Sequence, residues 1–407
     1  MDSGVPRFAP RLELTRCGAA RRYGLRVIKY LGSKRTLVPV LGAVASAIDA
    51  RTAVDLFTGT TRVAQELKRR RITVTASDIA TYSGVLSDCF IATDASEVDT
   101  AQLRSILAEL NELPGRPGYF TETFCVRARY FQPKNGARVD AIRDLLDRDY
   151  RAHPLFPVLL TSLMLAADRV DSTTGVQMAY LKEWAPRAYR DLHLTPPTLL
   201  PGRGSTVLGD ARHTIDALAP TDLMYLDPPY NQHRYFTNYH IWETLVRWDA
   251  PLHYGVACKR VDSRDESTKS VFNKKRQMPS AFTDLLGRAK AETLVVSYND
   301  EAWLTPEQML GALRDTGHPH ARLLAFDRRR YVGAKIGIHS PSGLKVGEVK
   351  RLRNVEYLFV AGPSEKVEAA TQAALHHAAL HHAALHDAAL HDAAPRALEG
   401  AAPAPSG

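Results

Sequence analysis

Three short apolar runs that reach an aspartate do most to limit what this chain can fold into. "RTAVDLF" carries Asp55, "ITVTASD" ends at Asp78, and "DLMYLD" ends at Asp227. Between the first two stands "TRVAQELKRR", which reads as a helix. Strand-length runs that alternate with helices imply a parallel sheet, because parallel partners need a crossover between them. Ligands of such sheets bind outside the carboxyl ends of the strands, near the point where the strand order reverses. Three acids at three strand ends therefore mark one edge of the sheet as a candidate site.

The rest of the chain extends this pattern. "GLRVIKYLG" reads as a first strand and "TLVPVLGAVASAI" as a helix. After residue 200 the rhythm resumes with "STVLGD", "DLMYLD", "AETLVVSYN", "ARLLAFDRRRYV" and "VEYLFVAG". The last two are expected to pair antiparallel, since no crossover helix separates them. The fold class is α/β, a Rossmann-like sheet of about seven strands. Residues 91–200 break the rhythm with "AQLRSILAEL", "ARVDAIRDLLDRD" and "LFPVLLTSLMLAADRV", and read as a helical insertion. The expected organisation is a loose arm at 1–24, a catalytic domain at 25–90 and 201–362, the insertion at 91–200, and a tail at 363–407. The tail repeats "AALHH" and "AALHD" and holds six of the 15 histidines. A five-residue period drifts around a helix and brings no fixed carboxylate or cysteine ligand, so no metal or catalytic role is expected there.

The formal net charge of +9 suits a polyanion, with nucleic acid foremost. Cys17, Cys89, Cys125 and Cys258 stand far apart without a C-x-x-C pair, which argues against zinc and against a disulfide framework and fits a reducing cytoplasm. The apolar stretches fall short of the roughly 18 residues of a membrane span, and the N-terminal region shows no secretory pattern.

In "DLFTGTTRV", Gly59 lies in the first turn, and Asp78 follows it by nineteen residues, a spacing that suits a carboxylate accepting from ribose hydroxyls. The dinucleotide pattern G-x-G-x-x-G fails because Thr61 holds the second glycine position, and "GSKRT" lacks the upstream glycine of a phosphate loop. The turn fits a nucleoside without phosphates. In Asp227-Pro228-Pro229-Tyr230 the prolines hold the backbone open. A carboxylate and a carbonyl can then accept from an –NH2 group, and Tyr230 offers a face to a planar base. This is an acceptor site for an exocyclic amine.

With these motifs the chain resembles the D12 (Dam-like) class of DNA adenine-N6 methyltransferases, from about residue 25 to 360. "KYLGSKR" resembles that class's N-terminal motif, which implicates Tyr30, Gly32 and Lys34 in an S-adenosyl-L-methionine pocket. "DLFTGTTRV" resembles its Phe-x-Gly motif, which implicates Asp55, Phe57 and Gly59, followed by Asp78. "VLGD" at Asp210 resembles a further cofactor segment, and "DPPYNQHRYFTNYH" the catalytic one. "SYND" (297–300) and the stretch 329–360 also resemble family segments. The Thr at 61 departs from the Gly-x-Gly form.

The resemblance implies methyl transfer from S-adenosyl-L-methionine to N6 of adenine in double-stranded DNA, with the base flipped onto Tyr230 and with Asp227 beside both amine and cofactor. No metal and no membrane are implied, and a cognate restriction endonuclease is a candidate partner. The basic stretches 127–138 and 173–190 of the insertion are expected to meet DNA, and 259–277 to close over the base or the phosphates. Trp184 and Trp242 are expected in the core. Three rivals share parts of the pattern. An N4-cytosine enzyme more typically has Ser at 227, a protein-glutamine enzyme Asn, and an RNA methyltransferase shares the sheet. A silent DNA-binding module would have lost the cofactor motifs.

Overall fold

The structure, a computed structural model, describes residues 11–13, 27–32, 34–229, 232, 234–329, 338–339, 345–347 and 353–392. Its centre is a sheet of β1 (Arg11–Glu13), β2 (Thr52–Asp55), β3 (Thr73–Asp78), β4 (Ser205–Leu208), β5 (Thr221–Leu226), β6 (Ala291–Asn299), β7 (His320–Arg329) and β8 (Arg353–Gly362), in the order β1-β7-β8-β6-β5-β2-β3-β4. Only β8 runs against its neighbours, from Arg353 opposite Arg329 to Gly362 opposite His320. The remaining pairs are parallel. Seven of the segments read as strands are thus present in a mixed sheet, with β1 as a short eighth at its edge.

The strands alternate faces with period two, and each face meets its own core. Ala53, Leu223, Tyr225, Val295, Leu324, Phe326, Leu358 and Val360 point to the first core. It is closed by α1 (Val38–Ala47), α2 (Arg62–Arg69), α3 (Thr81–Ser87), α4 (Thr100–Glu112), α5 (Pro133–Asp149), α6 (Phe156–Arg169) and α7 (His240–Arg247). Val54, Met224, Leu226, Leu294, Val296, Leu323 and Phe359 point to the second core, under α8 (Met278–Arg288) and α9 (Pro306–Asp315). Burial on both faces explains why β5 and β6 read as nearly unbroken apolar runs.

The described residues correct four expectations. The segment "GLRVIKYLG" is no strand where described: residues 27–32 run as irregular chain, and their amides go to side chains instead of a ladder. The Lys29 amide donates to Asp168 Oδ1 at 3.0 Å and the Leu31 amide to Tyr239 Oη at 2.5 Å. Within the expected arm at 1–24, Arg11–Glu13 pairs with Ala325–Asp327 as the edge strand. The insertion is helical, but its Phe124, Val139 and Leu159 share the first core with the sheet, so no separate core bounds it.

The tail is the fourth correction. Residues Ser364–Asp392 form one helix, α10. Val367, Ala370, Ala374 and Ala378 recur every three or four residues and are buried in the first core, beside α1. The repeat drifts, but its dense alanine leaves a small side chain at each buried position. The helix thus packs on the first core as far as Ala378. Among the described residues no helix is long and apolar enough to cross a membrane.

Candidate active site

The strand order reverses between β2 and β5. Strands β3 and β4 lie beyond β2, and β6 lies beyond β5. Asp55 ends β2 and Asp227 directly follows β5, so the reversal places two carboxylates on adjacent strand ends. A cavity of about 480 Å³ opens over this edge. Tyr30, Gly32, Lys34, Asp55, Phe57, Gly59, Asp78, Asp210, Asp227 and Pro229 all line it. Pro228 is buried and does not line it. Tyr230 lies outside the described residues, as does most of the stretch 330–352.

The turn after β2 is held by hydrogen bonds to Asp78 and around Thr61. The Gly59 amide donates to Asp78 Oδ2 at 2.8 Å, and the Ala80 amide to Asp78 Oδ1 at 2.9 Å. Gly59 has φ +53°, which favours glycine, and a Cβ there would lie 3.3 Å from the Tyr30 ring and crowd it. Thr61 occupies the left-handed region at φ 61°, where a β-branched residue is rare. It is held there by its amide on the Thr58 carbonyl at 2.8 Å and by Gln65 Nε2, which donates to Thr61 Oγ1 at 2.7 Å. The departure from glycine at this position leaves the turn in place and is compensated by a buried side-chain bond.

Asp55 is 1 % exposed. Its Oδ2 accepts from Thr58 Oγ1 at 2.9 Å and from the Ala64 amide at 3.1 Å, while Oδ1 is buried without a protein hydrogen-bond partner. Burial pushes its carboxyl up to about 7 against the pull of those two bonds. Burial likewise raises Asp78, opposed by the amides of Ala80 and Gly59. Asp210 caps the short helix at 211–214, and Arg212 holds both of its carboxylate oxygens at 2.9–3.1 Å. Burial would raise its carboxyl, but the Arg212 bonds outweigh it and leave it low.

Around Asp227 the surroundings are charged and aromatic. Lys34 Nζ stands 3.2 Å from Asp227 Oδ1 and 2.9 Å from Glu356 Oε2. Tyr30 stacks on Tyr239 at 4.6 Å and on Tyr235 at 5.3 Å, with planes within 18°. Phe57 meets the edge of Phe272 at 5.3 Å. The segment 262–273 walls the cavity with Asp262, Asp265, Ser267, Thr268, Ser270, Phe272 and Asn273.

Several lining residues were not singled out in the sequence: Arg62, Tyr82, Tyr235, Phe236 and Arg247. Tyr235 and Phe236 lay within the quoted stretch after the prolines, where aromatic density was the available signal. Arg62 follows the turn at the start of α2, and burial, then Arg35, draws its guanidinium down to about 10. The basic stretch 127–138 is divided between core and surface. Its Tyr130 and Phe131 are core residues, and Arg127, Pro133 and Lys134 are exposed. Trp242 is core, as expected, while Trp184 is half-buried beneath Arg129 at 4.7 Å.

Comparison with known proteins gives this geometry a context. Residues 30–310 match the family model described as D12 class N6 adenine-specific DNA methyltransferase. The chain is 28% identical over 297 residues to the type II methyltransferase M.NlaIII of Neisseria lactamica, covering 69% of this chain and 86% of that protein. It is 27% identical to the type II methyltransferase M.CviAII of Paramecium bursaria Chlorella virus 1, over 71% of this chain and 89% of that one. Against the type II methyltransferase M.FokI of Planomicrobium okeanokoites it is 30% identical over 75% of its own length, and spans half of that longer protein.

Proposed function

The chain belongs to the D12 class of N6 adenine-specific DNA methyltransferases, and from that premise we propose that it methylates N6 of adenine at one short sequence in duplex DNA, with Asp227 as the acceptor for the target amine. The methyl donor is S-adenosyl-L-methionine. The single observation that carries the residue assignment is the meeting of Asp55, Asp78 and Asp227 on one cavity at the strand-order reversal.

The cavity suits that donor. Asp78 retains acceptor capacity for ribose hydroxyls, since each of its oxygens takes one amide. Asp55 Oδ1, buried without a protein partner, suits an ammonium. Arg62 supplies a cation for a carboxylate, and Phe57 and Phe272 offer apolar surface for a base. When bound, the cofactor supplies an electrophilic methyl on a sulfonium.

Adenine N6 is a weak nucleophile because its lone pair is delocalised into the ring. Asp227 accepts a hydrogen bond from the amine and favours its passage toward tetrahedral geometry. The benefit comes from placing a negative acceptor in a partly desolvated site. Duplex DNA hides this edge of the base, so the adenine must leave the stack to reach the cavity. Tyr30, Tyr235 and Tyr239 form a rigid aromatic group beside that entry. Exposed Arg127, Lys134, Lys182 and Arg190 in the insertion are proposed phosphate contacts. We also propose that a restriction endonuclease of the same site is the biological counterpart, on the support of the relatives' type II names.

Nucleoside mass spectrometry of DNA from a methylation-deficient host expressing the protein tests the product. N6-methyladenine is the expected result. N4-methylcytosine would overturn the target base, and no modified base would overturn the activity.

A further inference from the structure

Glu356 stands where the fold calls for an apolar side chain. It is 4 % exposed and lies on β8 in series with Leu358 and Val360, which face the first core. Because β8 is antiparallel, this residue comes opposite Asn299, the last residue of β6, and so reaches the carboxyl edge of the parallel strands. The "SYND" turn fixes the start of β8. The Asp300 amide donates to the Val355 carbonyl at 3.1 Å, and the Val355 amide donates to Asp300 Oδ1 at 3.2 Å. Glu356 lies beyond residue 310, where the family match ends.

A buried carboxylate is costly unless a charge answers it. Here the answer is Lys34, itself 4 % exposed, whose ammonium lies between Glu356 Oε2 at 2.9 Å and Asp227 Oδ1 at 3.2 Å. One cation is therefore shared by two carboxylates, with the shorter contact to the residue farther from the cavity. We propose that Glu356 is a positioning residue for methyl transfer: by holding Lys34, it keeps the lysine from pairing fully with Asp227 and leaves Asp227 able to accept from the target amine. The inference rests on the reading of Asp227 given above. The physical reason is competition for the same lone pairs. A neutral amine donates more weakly than an ammonium, so an undivided Lys34–Asp227 pair would compete more strongly with it and draw the carboxylate away from the amine. No proton or covalent bond changes hands in this role.

Two variants, assayed for turnover and for binding of cofactor and of DNA, test it. Glu356→Gln removes the carboxylate charge that holds Lys34 away from Asp227. The expected result is a fall in kcat of at least fivefold, with both affinities within threefold of the parent. A smaller fall in kcat, or a loss confined to binding, would overturn the proposal. Lys34→Met combined with Glu356→Met removes both of these buried charges and the Lys34 contact with Asp227. At saturating cofactor its kcat should exceed that of Glu356→Gln, whereas a purely structural Glu356 would make the double variant equal or worse. If Glu356→Gln does not fold, the double variant decides alone: kcat within tenfold of the parent supports the role, and a larger loss overturns it. Asp227→Asn separates the two readings. If it retains turnover, the reading of Asp227 fails. If it is inactive while Glu356→Gln turns over normally, only the present proposal fails.

Discussion

The Gly59 amide and Asp78 Oδ2 are joined by a 2.8 Å hydrogen bond that ties the turn after β2 to the end of β3. The second oxygen of Asp78 takes the Ala80 amide, so both oxygens act as acceptors. In Asp78→Asn an NH2 group must face one of these amides, donor against donor. Affinity for S-adenosyl-L-methionine is expected to fall at least tenfold by calorimetry, and a Kd within twofold of the parent would count against this role. Gly59→Ala should weaken binding too. It places a side chain at φ +53°, at a cost of about 1–2 kcal/mol, and its Cβ presses on Tyr30.

Asp55 predicts a pH dependence of stability. Its folded carboxyl lies near 7 against an ordinary 3.8. Across that interval the folded protein holds a proton that the unfolded chain releases. Its contribution to stability is therefore fully present below about 4, declines as pH rises, and is lost above about 7, with a steepest slope of roughly 1.4 kcal/mol per pH unit. Asp168, raised to about 6 by burial against the pull of Lys29, acts in the same direction within this window. The difference between the parent and Asp55→Asn isolates the Asp55 share. Denaturant melts between pH 4.5 and 7.5 should show a flatter profile for the variant, and parallel profiles would refute the assignment.

Much of this site could be read from sequence because strand-end acids are local signals. Asp55, Asp78 and Asp227 each close an apolar run, and a parallel sheet gathers such ends on one edge. Glu356 carries no local signal. It reaches the edge through the reversed direction of β8 and the register set by Asp300, both products of tertiary pairing. "GLRVIKYLG" misled for a related reason: its apolar residues serve the core without a ladder, since Asp168 and Tyr239 take two of its amides. In the tail the five-residue compositional repeat masks the three- and four-residue spacing of the buried positions.

Thr61 separates backbone strain from side-chain bonding. Thr61→Gly relieves the left-handed conformation but removes the Gln65 partner, two effects of about 1 kcal/mol and opposite sign, so stability should change little. Thr61→Val keeps the strain, removes the hydroxyl and leaves buried Gln65 Nε2 without this acceptor. A loss of about 1–3 kcal/mol is expected in denaturant melts. Equal stability of the two variants would refute the account.

Truncations should locate the end of the domain. Removing residues 381–407 keeps Val367, Ala370, Ala374 and Ala378 in the first core. Removing 371–407 takes away Ala374 and Ala378 and half-buried Leu375. Each buried methyl is worth about 0.8 kcal/mol, so the longer deletion should lower stability by a few kcal/mol and the shorter one hardly at all. Thermal melts of the two proteins provide the comparison, and indistinguishable midpoints would put the boundary at or before residue 370.

Asp227→Asn bears on the chemistry most directly. The variant keeps an oxygen that can accept from the amine and preserves side-chain volume, but it removes the negative charge and leaves Lys34 paired with Glu356. If Asp227 acts by favouring charge development on N6, a neutral acceptor should forfeit most of its effect. Losses on mutating comparable electrostatic groups run to about 10²–10³-fold. kcat for transfer of radiolabelled methyl to DNA should fall by about that factor, while DNA and cofactor Kd change by less than threefold. Replacement of the charge should not unfold the protein, because Lys34 retains its 2.9 Å contact with Glu356. If kcat held while the DNA Kd rose instead, Asp227 would be acting in binding, and the acceptor for the amine would have to be sought elsewhere in the cavity.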